Sequence, residues 1–315
     1  MTLAFVFPGQ GSQYVGMGRE LAEKYDAAAA VFSTARDVLG FDISQLCFEG
    51  PEEKLKQTEI TQPAVLTVST AVFEVLKLRG VQPAYVAGHS LGEYSALTAA
   101  GTISFPDALK IVAQRGKWMA EAVPAGMGSM AAVIGLDSGA VEHICQLASD
   151  AGEVVPANFN TPGQIVISGT KEAVEKASML AREYGAKRVI PLAVSGPFHS
   201  GLMGEVSKKL SALLDTVRLE EPRYGFVANT TGYEMHRIDE IKTSLAEQVR
   251  APVLWQQSIE YLAQQGVTTF IEVGPGRVLS GLIKKICRSA RVLNVEDCET
   301  LDNTCALAEE VRKDA

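Results

Sequence analysis

Gly88-His89-Ser90-Leu91-Gly92 has the residue types and spacing of a serine nucleophile presented on a sharp turn. Residues 84–87 are apolar and 93–100 continue in a helical pattern. A strand should therefore end, turn and hand over to a helix with Ser90 at the tip. Glycines at 88 and 92 remove the Cβ atoms that would clash in so tight a turn. The helix would point its N-terminal amides toward the serine, where they can hold a developing oxyanion. The pentapeptide alone also describes an ordinary strand-to-helix turn, and it is the flanking elements that favour the nucleophile.

A serine hydroxyl attacks only when a base takes its proton, and four histidines are available. His89 adjoins the serine and should point away from it. His143 lies in the amphipathic pattern 139–148 and reads as a surface or boundary residue, and His236 lies in the polar, turn-like segment 232–237. His199, in Ser195-Gly196-Pro197-Phe198-His199-Ser200-Gly201, follows the apolar run 189–194 and lies downstream of the serine, the order used by serine enzymes of this fold class. It is the candidate base, with a structural histidine as the plain alternative. No aspartate stands out as a third member, which leaves orientation of the ring to a neutral oxygen.

Gln10 sits in Pro8-Gly9-Gln10-Gly11-Ser12-Gln13, after the strand-like 3–7. It either aims an amide at an oxyanion or occupies a tight turn as a solvated glutamine. Arg115, in the helix pattern 105–122, shares one face with Ile111 and Met119. A guanidinium on an apolar stripe must find an anion. That anion is either a nearby Asp or Glu or a substrate carboxylate held by both prongs of the fork.

Together these segments resemble the malonyl-CoA:acyl carrier protein transacylase family of fatty-acid synthesis. The resemblance is carried by Phe7-Pro8-Gly9-Gln10-Gly11-Ser12-Gln13, Gly88-His89-Ser90-Leu91-Gly92-Glu93-Tyr94, Gln114-Arg115-Gly116, Gly196-Pro197-Phe198-His199-Ser200 and Glu272-Val273-Gly274-Pro275-Gly276, in the family's order over nearly the whole chain. It implies a ping-pong transfer. Ser90 attacks malonyl-CoA with His199 as general base and then acid, coenzyme A leaves, and the phosphopantetheine thiol of acyl carrier protein takes the malonyl group. It further implies that Gln10 and the backbone N–H of Leu91 form the oxyanion hole, that Arg115 pairs with the malonyl carboxylate, and that the backbone carbonyl of Gln248 orients the histidine. Phe198 resembles the bulky residue of malonyl-selective members, and with Met119 it is expected to line the substrate pocket. Pro197 departs from the small residue more common there. No cofactor and no metal are implied; malonyl-CoA and coenzyme A enter as substrate and product.

Composition agrees with a cytoplasmic enzyme. At 47% hydrophobic and 21% charged, the 315 residues suffice for a large core. The five cysteines (Cys47, Cys145, Cys287, Cys298, Cys305) are odd in number and lack a C-x-x-C, supporting neither a disulfide framework nor a zinc site. The N-terminal apolar run lacks a basic flank and ends in Pro-Gly, so it reads as a first strand and not a signal peptide. No apolar run approaches the ~20 residues of a membrane span. A net charge of −8 argues against general nucleic-acid binding.

Strand and helix patterns alternate to about residue 124, with helices expected over 26–39 and 64–79, the latter stopped by Gly80. From 126 to 196 the order is strand 129–134, helix 138–148, strands 154–158 and 164–168 around Asn160-Thr161-Pro162-Gly163, helix 171–184 and strand 187–194. That is the ferredoxin-like β-α-β-β-α-β order. The expected fold is an α/β-hydrolase-like core with a mainly parallel sheet (1–125 and 197–315) and an inserted ferredoxin-like small domain (126–196), the site lying in the cleft between them. Residues beyond about 296 read as a solvated helix and tail. Lys284, Lys285, Arg288 and Arg291 fall near one helix face. They form either a solvated face with cations favoured by the helix dipole or a patch that steers acidic acyl carrier protein or the phosphates of coenzyme A.

Three function classes fit. An acyltransferase moving malonyl to a carrier protein is favoured, with one serving a polyketide synthase left open. A serine esterase or thioesterase shares elbow and histidine but does not need an arginine on an apolar stripe. A non-catalytic carrier-binding module is argued against by intact Ser90 and His199.

Overall fold

Among the described residues ten strands form in chain order: β1 (Thr2–Phe7), β2 (Tyr85–Gly88), β3 (Gly128–Ile134), β4 (Val154–Thr161), β5 (Gln164–Thr170), β6 (Arg188–Pro191), β7 (Gly225–Val227), β8 (Glu234–Met235), β9 (Val267–Val273) and β10 (Arg291–Val295). The computed structural model describes residues 2–194 and 196–313; Ser195 and the last two residues of the expected tail lie outside the described residues.

Six strands make one sheet in the order β10-β9-β1-β2-β7-β8, parallel except for the β7–β8 pair. β1 reads as a near-continuous apolar run because helices cover both faces of the sheet. The strands point their C-terminal ends at the cavity described below, the usual place for a site in such sheets.

The other four strands make an antiparallel sheet in the order β4-β5-β3-β6. Its period-2 alternation divides its side chains between two cores. Ala131, Val133, Ile165 and Ile167 pack on its own helices, Ser138–Ala148 and Lys171–Glu183. Met130, Ala132 and Val166 face the other way, into the main core. β4 also leans on the chain after Gln248, with Phe159 N–H donating to Val253 O at 2.9 Å and Val253 N–H to Ala157 O at 2.9 Å.

Several boundaries differ from expectation. The second long helix runs Thr58–Leu78, starting a turn and a half before residue 64 with Pro63 inside it. Gly116 permits this early start, because a Cβ there would lie 2.8 Å from Thr58 O. Asn160 and Thr161 belong to β4, which narrows the hairpin loop to Pro162-Gly163. β6 ends at Pro191, three residues short, since 192–194 leave the ladder after Leu192 N–H bonds to Met130 O. The C-terminal helix Cys298–Lys313 is not simply solvated: Cys298, Leu301, Thr304 and Cys305 form a buried stripe at helical spacing. Among the described residues no helix is long and apolar enough to cross a membrane.

Candidate active site

β2 ends at Gly88 and the helix Gly92–Ala99 begins four residues later, with Ser90 between them at φ 51°. A Cβ on Gly88 would sit 1.9 Å from the Gly92 carbonyl carbon, and one on Gly92 would sit 2.0 Å from Phe7 O. The turn therefore tolerates glycine alone at both places. Ser90 and His199, at φ 60°, are the only non-glycine residues with positive φ among the described residues. Such strain, on the order of 1–3 kcal/mol each, persists only where surrounding structure enforces it.

Ser90 Oγ lies 2.9 Å from His199 Nε2. On the other side of the ring, Nδ1 lies 2.7 Å from Gln248 O and 3.2 Å from Ala251 O. Two carbonyls can only accept, so Nδ1 carries the proton and Nε2 is left as the acceptor for the serine hydroxyl. Two carbonyl oxygens thus take the place of an aspartate. Burial, and then the nearby Arg115 charge, pull the His199 pKa down to about 3. The imidazole is consequently a neutral base at ordinary pH.

Arg115 is 1% exposed. Nη1 donates to Gln62 Oε1 (2.8 Å), and Nη2 donates to Gln248 Oε1 (2.8 Å) and Ser90 Oγ (3.1 Å). Nε is buried with no hydrogen-bond partner. No ion pair involving Arg115 occurs among the described residues, so a neighbouring carboxylate is not its direct partner. Its guanidinium also lies 5.6 Å over the Tyr94 ring. Tyr94 and, through space, Glu93 also interact with this cation, but no carboxylate among the described residues touches it, so a desolvated guanidinium beside the nucleophile can receive an anion.

Gln10 stands at the end of β1, its side-chain amide donating to Thr58 Oγ1 at 3.2 Å. Its backbone N–H and that of Leu91 have no acceptor among the described residues. These backbone groups are free to bind an oxyanion, and the Gln10 amide keeps a second N–H beside the one it gives Thr58. Met119 and Phe198 are both buried and line the same cavity as Ser90 and Arg115. This cavity, about 220 Å³, is closed from the opposite side by Met130, Asn158, Gln164, Val166, Leu192 and Val194, on and after the four-stranded sheet.

His89 turns away from the serine: its Nε2 pairs with Asn160 Oδ1 at 2.8 Å and its ring tilts against Trp255. His143 and His236 are exposed. The basic residues do not share one helix face. The helix Val278–Ile286 stops when Cys287 leaves helical geometry (φ −123°, ψ 89°), and Arg291 already pairs with Thr269 in the sheet. Lys284 and Lys285 alone lie on the helix, and Lys285 Nζ reaches Gln164 Oε1 at 3.3 Å, beside the cavity. No cluster of side chains suited to a metal ion occurs among the described residues.

Three participants went unread in the sequence. Asn229, fully buried after β7, accepts from Ser90 N–H (2.7 Å) and donates to Gly88 O (2.7 Å), splinting the turn. Glu93, also fully buried, accepts from Asn229 N–H and from Gln248 Nε2. Burial pushes its carboxyl up to about 8. Gln62 holds Arg115 from the long helix. An acid inside the apolar run 91–97 was a readable signal, and Asn229 and Gln62 carried none.

The model of the acyl transferase domain family matches residues 4–308. The malonyl CoA-acyl carrier protein transacylase of Bacillus subtilis is 50% identical over 301 residues, 95% of each chain. That of Haemophilus influenzae is 46% identical over 297 residues, 93% of this chain and 95% of the relative. The solved acyl carrier protein S-malonyltransferase of Vibrio cholerae superposes with a TM-score of 0.95 at 44% identity, covering 96% of this chain and all of that one. A malonyl-transacylase solved in complex with its type II polyketide synthase acyl-carrier protein matches at TM-score 0.95 and 42% identity, covering 97% and 99%. The chain belongs to the acyl transferase domain family and, within it, to the malonyl CoA-acyl carrier protein transacylases.

Proposed function

We infer that this chain carries the malonyl group from malonyl-CoA to the phosphopantetheine thiol of acyl carrier protein through a malonyl-serine intermediate. The observation that carries the reading is the buried Arg115 fork beside Ser90, with no carboxylate among the described residues in ion-pair contact with it. A hydrolase of neutral esters has no use for it. A donor whose acyl group ends in a carboxylate matches it in charge and shape.

The chemistry follows from the geometry. Ser90 Oγ attacks the thioester carbon while its proton passes to His199 Nε2. The oxyanion accepts from the backbone N–H groups of Leu91 and Gln10. Collapse breaks the C–S bond, and the leaving thiolate takes the proton back from His199. The carrier thiol then gives its proton to Nε2, attacks the ester carbon, and collapse returns the proton to Ser90 Oγ. Every proton is handled by Ser90, His199 and the two thiols, so no cofactor enters. We assign the product to fatty-acid synthesis and the enzyme to the cytoplasm.

Exchange of labelled coenzyme A into malonyl-CoA without carrier protein tests the two-step scheme. Exchange is expected, because the first half-reaction is complete in itself. Exchange that needs the carrier would overturn it.

A further inference from the structure

The role implied for Gln248 uses only its backbone carbonyl, which any residue supplies. The side chain is nevertheless fully buried and saturated with partners. Its Oε1 accepts from Arg115 Nη2 at 2.8 Å, and its Nε2 donates to Ser90 O at 2.8 Å and to Glu93 Oε2. One orientation of the amide satisfies all three. Reversed, its NH₂ would face a guanidinium and its oxygen would face the Ser90 carbonyl. Arg115 and the Ser90 carbonyl therefore fix the Gln248 amide, with Glu93 as its third partner, and its oxygen holds the Arg115 fork in place.

We propose that the Gln248 side chain, partnered by Glu93, is a positioning residue for donor selectivity: it holds Arg115 Nη2 beside Ser90 so that the fork meets a carboxylate at the carbon next to the attacked carbonyl. Gln62 anchors the other prong. Without the Gln248 oxygen, Nη2 keeps only Ser90 Oγ and the guanidinium can swing toward other acceptors. The His199 ring keeps its orientation, since the Gln248 and Ala251 carbonyls do not depend on the side chain. Because Gln248 Nε2 also donates to Ser90 O, some loss should fall on every donor, but the larger share should fall on the malonyl group. The proposal rests on the malonyl-transfer reading.

Glu93→Gln reaches the same defect without touching Gln248. The new amide meets two donors, Asn229 N–H and Gln248 Nε2, with a single acceptor oxygen. Where Gln248 Nε2 is the donor left without that oxygen, its amide is held by Ser90 O alone and its grip on Arg115 loosens.

Ser90 acylation would be timed by intact mass in wild type, Gln248→Leu and Glu93→Gln, with malonyl-CoA and with acetyl-CoA, alongside melting temperature. In both variants the malonyl-to-acetyl rate ratio should fall about tenfold or more, the scale of one charge-assisted hydrogen bond, whatever loss the two donors share. An unchanged ratio, or equal losses on both donors in a folded protein, would overturn the proposal. If one variant fails to fold, the other decides. Wild type that never gains a malonyl group would instead sink the underlying reading, and the control separates the two failures.

Discussion

The two walls of the cavity are built on opposite rules. The wall from the six-stranded sheet is rigid and polar: two residues at positive φ, glycines that admit no Cβ, and a buried network joining Ser90, Arg115, Glu93, Asn229 and Gln248. The wall from the four-stranded sheet is mostly apolar, with Met130, Val166, Leu192 and Val194 lining the cavity and polar ties such as Asn160 to His89 and Gln164 to Lys285 at its edge. The first wall holds the reacting atoms through this network. The second shapes space and excludes water. Changes on the first should cost orders of magnitude, and changes near the second should shift preferences.

The largest effect is expected at His199. His199→Ala removes the proton acceptor and should slow Ser90 acylation by roughly 10³-fold or more in rapid-quench assays. In wild type, kcat/KM for malonyl-CoA should show no inflection near 6.5, because the folded imidazole titrates only near about 3. The sign for stability follows. Between pH 6.5 and about 3 the unfolded chain takes up a proton that the folded one refuses, so stability is full above 6.5 and falls as pH drops through that window. An inflection in kcat/KM at 6.5 would mean the ring is not desolvated as described.

Arg115 comes next. Arg115→Ala should reduce acylation by malonyl-CoA on the order of 10²-fold or more while touching acetyl-CoA little. Arg115→Lys should also lose much activity, since a point charge does not replace the fork. Equal losses on both donors would return Arg115 to a purely structural role and erase the contrast between the walls.

How much of this was legible in the sequence depended on how local the cause was. The elbow needed only a strand, two glycines and a helix within a dozen residues, and Arg115 betrayed itself by interrupting an apolar stripe. The helices 26–39 and 138–148 were readable to the residue, because their amphipathic periods are clean. The network behind the site was not, because Gln62, Gln248 and Asn229 act across 53, 133 and 139 residues of chain. The basic cluster was misread for a similar reason: helical spacing continued on paper past Cys287, whereas pairing of β10 with β9 claimed Arg291.

Smaller effects probe the join between the walls. Phe198 is buried next to His199 and borders the cavity. Phe198→Ser should raise methylmalonyl relative to malonyl turnover by a modest factor, since one methyl in an apolar pocket is worth ~1–3 kcal/mol. An unchanged ratio in an active variant would remove Phe198 from the selectivity account. The smallest effect is expected at the rim. Reversing the charges of exposed Lys284 and Lys285 should raise KM for acyl carrier protein severalfold at low salt and less at high salt. Malonylation of Ser90 should be untouched; a parallel loss there would assign the pair to coenzyme A phosphates, and no change in either would leave a solvated helix end.

The central claim is that Ser90, and no other nucleophile, carries the malonyl group. Cys47 and Cys145 are poor rivals, because burial pushes both thiols up to about 12. Intact and peptide mass spectrometry after brief exposure to malonyl-CoA, then after addition of acyl carrier protein, tests this directly. One malonyl group on the peptide containing Ser90, absent in Ser90→Ala and discharged onto the carrier, is the predicted result. A malonyl group on any other residue, or one that the carrier cannot remove, would contradict it.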